Sequence, residues 1–409
     1  MRACLAAALV AVLTLSACGV KAAEAPVSTT NQAKPTTDPA QLDAGTYGTK
    51  PSGPIGTAIT EEAGRDAEGR RMADIVVGPW QVDPTLSSLA GGGPALMTKF
   101  TALTAVLYPS TLYRVQADSF VTGFSSERSA LDPKVPTKLR NAVLRFPDPD
   151  TAANVARGWT EGQLTMLVRQ DSIDPIPSEP IRPIAVPGHP DVMATLLTFL
   201  DGAQTVRQVT LISAHGPFVL VQTARAADGP DHAAALAGRA LDLQIPLLDG
   251  FQPTALADLA ALPLDPTGLV ARTLPVKSDP NATVNATYAP PGYLHFDPDP
   301  MKTDGAFADA GVDVVSSGLT TVFQARDNAA AQKLVSGFAD ATQEQPNSQQ
   351  AAPVPGLPDS RCVNVAGAPG AQPRYHCFAS VDRFAFSSDS KQPAIAQQQI
   401  AAQFKMLTA

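Results

Sequence analysis

Short β-prone runs and Ala-rich stretches of helical spacing follow one another along this chain, and they do so twice. Val143 to Phe146 is rich in strand formers. Asp148 follows, heading an Ala-rich stretch whose Val155 and Trp159 stand four apart, as one face of an N-capped helix requires. Val192 to Phe199, Thr205 to Ser213 and Phe218 to Thr223 are three further β-prone runs, parted by turn signals at Asp201-Gly202 and at His215-Gly216-Pro217. Asp228-Gly229-Pro230 then opens a helix whose inner face is Ala237, Leu241, Gln244, Ile245 and Leu248, and Pro246, lacking an amide donor, should disturb its end. The later half predicts the same plan: a strand near 320–324, a helix over 327–341, strands near 362–365, 375–381 and 383–386, and a last helix near 393–407.

Four segments of the two halves align in order. Tyr108 and Tyr113 match Tyr288 and Tyr293. Val143, Asp148, Val155 and Trp159 match Val322, Asp327, Leu334 and Phe338. Val186-Pro187-Gly188 with Asp191 matches Val354-Pro355-Gly356 with Asp359. Finally Ala237, Leu241, Gln244, Ile245 and Leu248 match Ala396, Ile400, Gln403, Phe404 and Leu407. Preserved order with a shortening offset is the mark of a tandem duplication. The expected fold is α+β: two tandem β-α-β-β-β-α repeats, over 95–251 and 275–409, whose consecutive hairpins imply mainly antiparallel sheets with helices on one face. Residues 252–274 then form a linker. Residues 42–94 form an N-terminal arm, in which 61–77 reads as an amphipathic helix burying Met72, Ile75 and Val76, as a packing arm or a partner-binding helix. Gly91-Gly92-Gly93-Pro94 lacks the Lys-Ser/Thr of a phosphate-cradling loop and reads as a hinge.

The first residues are a separate matter. Met1-Arg2 and the apolar run Ala3 to Leu15 form a signal-peptide pattern over 1–17, because the run is too short to cross a bilayer. Leu15-Ser16-Ala17-Cys18 matches a bacterial lipobox, which makes Cys18 the acylated first residue of the mature chain and its acyl chains the membrane anchor. The stretch 18–41, poor in large apolar residues and rich in Ala, Thr and Pro, is a flexible lipidated tether. This places the protein on the extracytoplasmic face of the cell membrane.

Composition narrows the remaining possibilities. Of 409 residues, 44% are hydrophobic and 17% charged, with four cysteines, which excludes a wholly disordered chain and a disulfide scaffold. The net charge of −8, with no Lys/Arg cluster beyond Arg70-Arg71, argues against a nucleic-acid partner. Cys4 falls in the leader, so Cys362 and Cys377 remain for each other. They lie in neighbouring predicted strands, and outside the cytoplasm they form a disulfide by default; their spacing is not that of a C-x-x-C redox pair. Closing a loop of about 15 residues contributes roughly 3 kcal/mol in the chain-entropy model. The first copy has Ala194 where the second has Cys362, so the bond reads as reinforcement of one hairpin.

Catalytic and metal signals are lacking. His189, His215, His232, His295 and His376 are scattered without metal-ligand spacing. Asp297, Asp299 and Asp304 with Gly305 lack the spacing of a calcium loop and read as a solvated acidic turn. Ser125-Ser126-Glu127 and Ser213-Ala214-His215 are the nearest fragments to a nucleophile motif, and neither carries its turn. No cofactor is implied. Gln244 and Gln403, on matching helix faces, are candidates either for bonding a neighbouring loop or for facing a ligand.

The lipobox, Leu42-Asp43-Ala44-Gly45-Thr46-Tyr47, Arg70-Arg71-Met72-Ala73, Val77-Gly78-Pro79-Trp80 and the closing Ala401-Ala402-Gln403-Phe404 with Leu407 together resemble uncharacterised cell-envelope lipoproteins of mycolic-acid-bearing actinobacteria. That family carries a domain of unknown function and lends no catalytic residues. The repeat unit is also similar to the disulfide-containing extracellular sensor domains of mycobacterial receptor kinases. The resulting expectation is a surface lipoprotein that binds a lipid, glycan, small molecule or envelope protein partner, with an envelope-acting hydrolase as the alternative.

Overall fold

The computed structural model describes residues 37–89, 92–115, 119–132, 136–166, 174–278, 282–367 and 372–409. The leader, Cys18 and the tether up to residue 36 lie outside the described residues.

The described chain enters through α1 (Glu61–Ala73), where the Thr60 hydroxyl accepts from the Ala63 amide at 3.2 Å, and a single turn, α2 (Pro79–Val82). The first sheet follows: β1 (Ala95–Met97), a 3-10 segment Phe100–Ala105, α3 (Pro109–Leu112), β2 (Thr122–Ser129), β3 (Lys138–Arg145), α4 (Pro149–Leu164), β4 (Arg182–Ala185), β5 (Met193–Asp201), β6 (Gln204–His215), β7 (Phe218–Arg225) and α5 (Pro230–Asp249). All pairings are antiparallel, in the order β1-β2-β3-β7-β6-β5-β4.

The second sheet repeats the plan with β8 (Ala286–Tyr288), α6 (Pro290–Leu294), α7 (Pro300–Ala310), β9 (Val314–Ser317), β10 (Thr320–Gln324), α8 (Asn328–Gln343), β11 (Ser348–Ala351), β12 (Arg361–Val365), β13 (Arg374–Val381), β14 (Phe384–Ser390) and α9 (Pro393–Thr408). Its order, β8-β9-β10-β14-β13-β12-β11, is that of the first sheet strand for strand. Register agrees as well. Val143 lies opposite Leu220 and its counterpart Val322 opposite Phe386, while Ala194 faces Leu211 where Cys362 faces Cys377. Asp148 and Asp327 cap α4 and α8 through the same bond, each carboxylate accepting at 2.8 Å from the amide three residues on.

The six elements expected of each repeat are present, but each sheet has three more strands: β1, β2 and β4 in the first, and β8, β9 and β11 in the second. These are short or polar; β2 reads Thr-Gly-Phe-Ser-Ser-Glu-Arg-Ser and β11 Ser-Gln-Gln-Ala, so period-2 alternation is faint in them. The helices also flank both faces of each sheet instead of one. Ala142 and Leu144 pack with Trp159 of α4, whereas Leu139 and Val143 pack with Leu236 and Leu241 of α5. The second sheet divides in the same way, Phe323 facing α8 and Val322 facing α9. The unbroken run Ala142-Val143-Leu144 requires this, since a strand apolar on successive residues must be covered on both sides. The α5 helix continues through Pro246 to Asp249.

The arm is part of the first unit's core. Met72, Val76 and Leu86 are buried in one cluster with Phe124, Val143 and Leu220, and that cluster extends to Ala286 and Tyr288 of the second repeat. Arg128 secures this junction from the α5-facing side of β2. Its guanidinium donates to the carbonyls of Ser87, His295 and Asp297, each at 2.8 Å, and sits 5.1 Å from the Trp80 ring. Among the described residues no helix is long and apolar enough to cross a membrane.

Candidate functional site: a cationic cavity at the end of the first sheet

The α4-facing side of the first sheet changes character along its strands. On β3 it runs Leu144 and Ala142, both in the core, then Arg140 and Lys138; on β7 it runs Val219 and Val221, then Thr223 and Arg225; on β6, Ile212 gives way to Thr210 and Gln208. Register brings the polar ends together: Glu127 pairs with Arg140, Arg140 with Thr223, and Thr223 with Thr210. Because α4 starts just past Arg145, it covers the apolar end of the sheet. The far end is covered by the 3-10 segment and Tyr108, and beneath them lies a cavity of about 380 Å³.

Three cations and one carboxylate are among the ten residues lining it. Glu127, almost wholly buried, receives Lys138 Nζ at 2.5 Å on one oxygen and pairs with Arg140 through the other. Burial pushes the Arg140 guanidinium below its usual range, and the Glu127 charge opposes that shift. Arg225 has no carboxylate partner among the described residues. It donates through Nε and Nη2 to Gln208 Oε1 at 3.0 and 2.8 Å, and it stacks 5.3 Å from the Phe199 ring. The Tyr108 hydroxyl donates to the same amide oxygen at 3.2 Å. The chain passes closely over the acid at Gly92, where a Cβ would stand 1.9 Å from Glu127 Oε1. Gly92 and Gly93, expected in a hinge, therefore roof the carboxylate, and Gly93 O accepts from the Glu127 amide at 3.2 Å. Gly91 lies outside the described residues. The arrangement is suited to holding an anion by charge-assisted hydrogen bonds.

In the sequence Glu127 stands out only as the end of a serine fragment, and Lys138, Arg140, Gln208 and Arg225 not at all, although the Lys-x-Arg alternation entering an apolar strand is a legible signal. Gln244 and Gln403 face their own chain and not a cavity. Gln244 Oε1 accepts from the Val77 amide at 2.9 Å and Asn141 Nδ2 at 2.8 Å, while its Nε2 donates to Ile75 O at 2.8 Å. Gln403 makes the same set with the Leu274 amide at 2.9 Å, the Thr320 hydroxyl at 2.5 Å and Arg272 O at 2.7 Å. Both are fully buried, and neither lines any of the described cavities. They latch the segments 75–77 and 272–274 onto the two repeats, which is the loop-bonding option and not the ligand-facing one.

Cys362 and Cys377 are joined as a disulfide across β12 and β13. The five histidines are dispersed: His189, His215, His232 and His376 pair with Asp242, Asp249, Asp228 and Asp389, and His295 is buried against Ala73 O at 3.1 Å. Asp297 accepts from the Asp299 amide and the Thr303 hydroxyl, and Asp299 caps α7, so these acids serve the turn itself. Among the described residues no group of three or more His, Cys, Asp or Glu could hold a metal ion.

A second cavity, about 360 Å³, opens where α1 meets β8 and is lined by Arg70, Arg71, Asp74 and Asp313 among others. Burial raises Asp74 to about 7, against the opposing bond from the Ala289 amide at 3.0 Å. That carboxylate is engaged in capping the turn that begins α6, which makes the cationic cavity the better candidate.

The solved structures include one similar chain, described as the crystal structure of the extracellular domain of PknH from Mycobacterium tuberculosis, at 14% identity and a TM-score of 0.30, covering 49% of this chain and all of that one. No curated protein matches the chain. Family models do: the N-terminal part of the domain of unknown function DUF7373 matches residues 55–264 and its C-terminal part matches 269–409, and the chain belongs to that family.

Proposed function

We propose that this protein is a lipoprotein of the cell envelope, of the kind found in mycolic-acid-bearing actinobacteria, anchored through acyl chains on Cys18 and binding a small anionic ligand in the cationic cavity of its first repeat. The observation that carries the ligand class is the excess of cations over carboxylates among the lining residues, with Arg225 oriented by a neutral amide and an aromatic ring. Preorganised guanidinium groups of this kind recognise carboxylate and phosphate oxygens. The leader pattern Leu15-Ser16-Ala17-Cys18 supports the anchor. Glu127 is clasped by Lys138 and Arg140 and so serves to hold those cations in place, which favours a binding protein over a hydrolase.

Native mass spectrometry of gently purified protein tests the ligand. A retained anionic species, absent from Arg225→Gln and Arg140→Gln proteins that fold normally, is the expected result; a retained neutral ligand indifferent to both substitutions would refute it. Metabolic labelling with palmitate tests the anchor, with loss of label expected in Cys18→Ala.

A further inference from the structure

A larger cavity, about 670 Å³, opens between the N-terminal arm, α1, the linker and the second repeat. One wall is backbone: the arm runs beside the linker, with the Ser52 amide donating to Ala271 O at 2.9 Å and the Ala58 amide to Leu262 O at 2.8 Å. The floor is apolar. Leu274 and Met406 are buried there in one small core cluster with Ala44 and Ala402, and Leu319 and Tyr47 pack against it. Ile55 also lines the cavity and is 39% exposed. Charge surrounds this floor as Lys50, Arg70, Lys277 and the carboxylate of Asp66. Arg70 is already engaged: it donates to Ala282 O at 2.9 Å, acts on Asp66 one helical turn away, and lines the adjoining cavity with Asp74 and Asp313. Lys50 and Lys277 differ. Both are exposed, and neither forms an ion pair or a side-chain hydrogen bond among the described residues. Burial raises the Asp66 carboxyl above its usual range, against the pull of Arg70, which weakens its repulsion of an anion.

We propose that this cavity binds a single-chain amphiphile with an anionic head, of the fatty-acid class, its chain on the floor made by Leu274 and Met406 and its carboxylate at Lys50 and Lys277. A small polar anion would leave the apolar floor wet, and a neutral lipid would leave the two ammonium groups unmatched. The volume lies in the range that drug-sized ligands fill. Affinity comes from burial of the chain, because exposed ammonium groups contribute little by themselves in water. The lysines set the sign of the head. The site shares no lining residue with the cationic cavity of the first sheet, so the two readings can be tested apart.

Photolabelling of the purified full chain in phosphatidylcholine vesicles at pH 8 tests this. The probes are a palmitic acid analogue carrying a diazirine on its chain and the corresponding neutral alcohol, with labelled peptides mapped by mass spectrometry. The acid should label the segments 46–55 and 264–277 or the end of α9 around Met406, and excess palmitate should remove the label. Ile55→Trp, at a position exposed enough to take a larger side chain, fills the cavity and should cut labelling at least tenfold. Lys50→Gln combined with Lys277→Gln should cut it at least threefold, and the alcohol should label at least threefold less than the acid. Arg225→Gln, in the other cavity, should change nothing. Label confined to other segments, or indifferent to Ile55→Trp, overturns the site. Equal labelling by acid and alcohol, or indifference to the loss of both lysines, overturns the anionic head. Loss of label in Arg225→Gln places the ligand in the first sheet's cavity and overturns the site as well.

Discussion

Replacing Gln244 by leucine isolates what the buried amide contributes to the fold. The substitution keeps nearly the same volume, so no cavity term enters. It strips the acceptor from the Val77 amide and the donor from the Ile75 carbonyl, which the amide serves at 2.9 and 2.8 Å; Asn141 Nδ2 loses one acceptor but retains Val77 O at 3.0 Å. Each buried backbone group left unpaired costs about 1–3 kcal/mol, and the added apolar burial recovers part of that. The expected loss is about 3–4 kcal/mol, or roughly 10 °C in Tm for a unit of this size. Gln403→Leu should cost about the same, because Leu274, Thr320 and Arg272 repeat the partner set. Urea unfolding followed by circular dichroism measures both. If the two repeats unfold in separate steps, each variant should move only its own transition. A Gln244→Leu protein within about 1 kcal/mol of wild type would refute the latch.

Three other outcomes are expected. Reducing the Cys362–Cys377 bond, or replacing both residues by serine, should cost about 3 kcal/mol, confined to unfolding of the second repeat, as calorimetry with and without reductant would show. Arg128→Met should destabilise by about 3 kcal/mol or more, because the Ser87, His295 and Asp297 carbonyls lose a charged donor, and limited proteolysis should then cut more readily between the repeats. Asp74, raised to about 7 by burial, stays protonated in the folded chain above its unfolded value near 3.9. Stability therefore falls as pH rises from about 4 to about 7, and Asp74→Asn should gain most over wild type at pH 8, a gain that fades by pH 4 in urea titrations. His295, lowered to about 3 by burial, acts in the opposite sense: the unfolded chain takes up the proton first, so stability rises between about pH 3 and 6.5 and masks much of the Asp74 slope in wild type.

The duplication was legible because the apolar positions that define it are core positions. Val143 and Val322, Trp159 and Phe338, Leu241 and Ile400 carry their spacing into both copies, and spacing survives where identity does not. The edge strands were not legible, since Arg182–Ala185 and Ser348–Ala351 are held by pairing with a neighbour and bury little of their own. The site was illegible for a related reason. Glu127, Arg140, Gln208 and Arg225 come from four strands, and only the crossover that sets β3 beside β7 makes them neighbours. The glutamines show the reverse case: their matched positions and the option of bonding a neighbouring loop were evident in the sequence, and the hydrogen bonds select that option over a ligand-facing one.

Duplication also shows how the two repeats have diverged at the row of residues that lines the cavity of the first. At the equivalent row of the second sheet, Arg374 stands for Gln208, His376 for Thr210 and Asp389 for Thr223. There the acid lies on a central strand and pairs with both Arg374 and His376, so the charges cancel within the row. Position 319, the counterpart of Arg140, is a leucine, which leaves no cation on that side. The second repeat instead carries the disulfide, across the strand pair where the first has Ala194 opposite Leu211. The second copy has thus cancelled its charge within the row and gained a covalent tie. The two repeats depart from symmetry in different ways, and Arg128, on the strand that also carries Glu127, ties the first repeat to the carbonyls of the second.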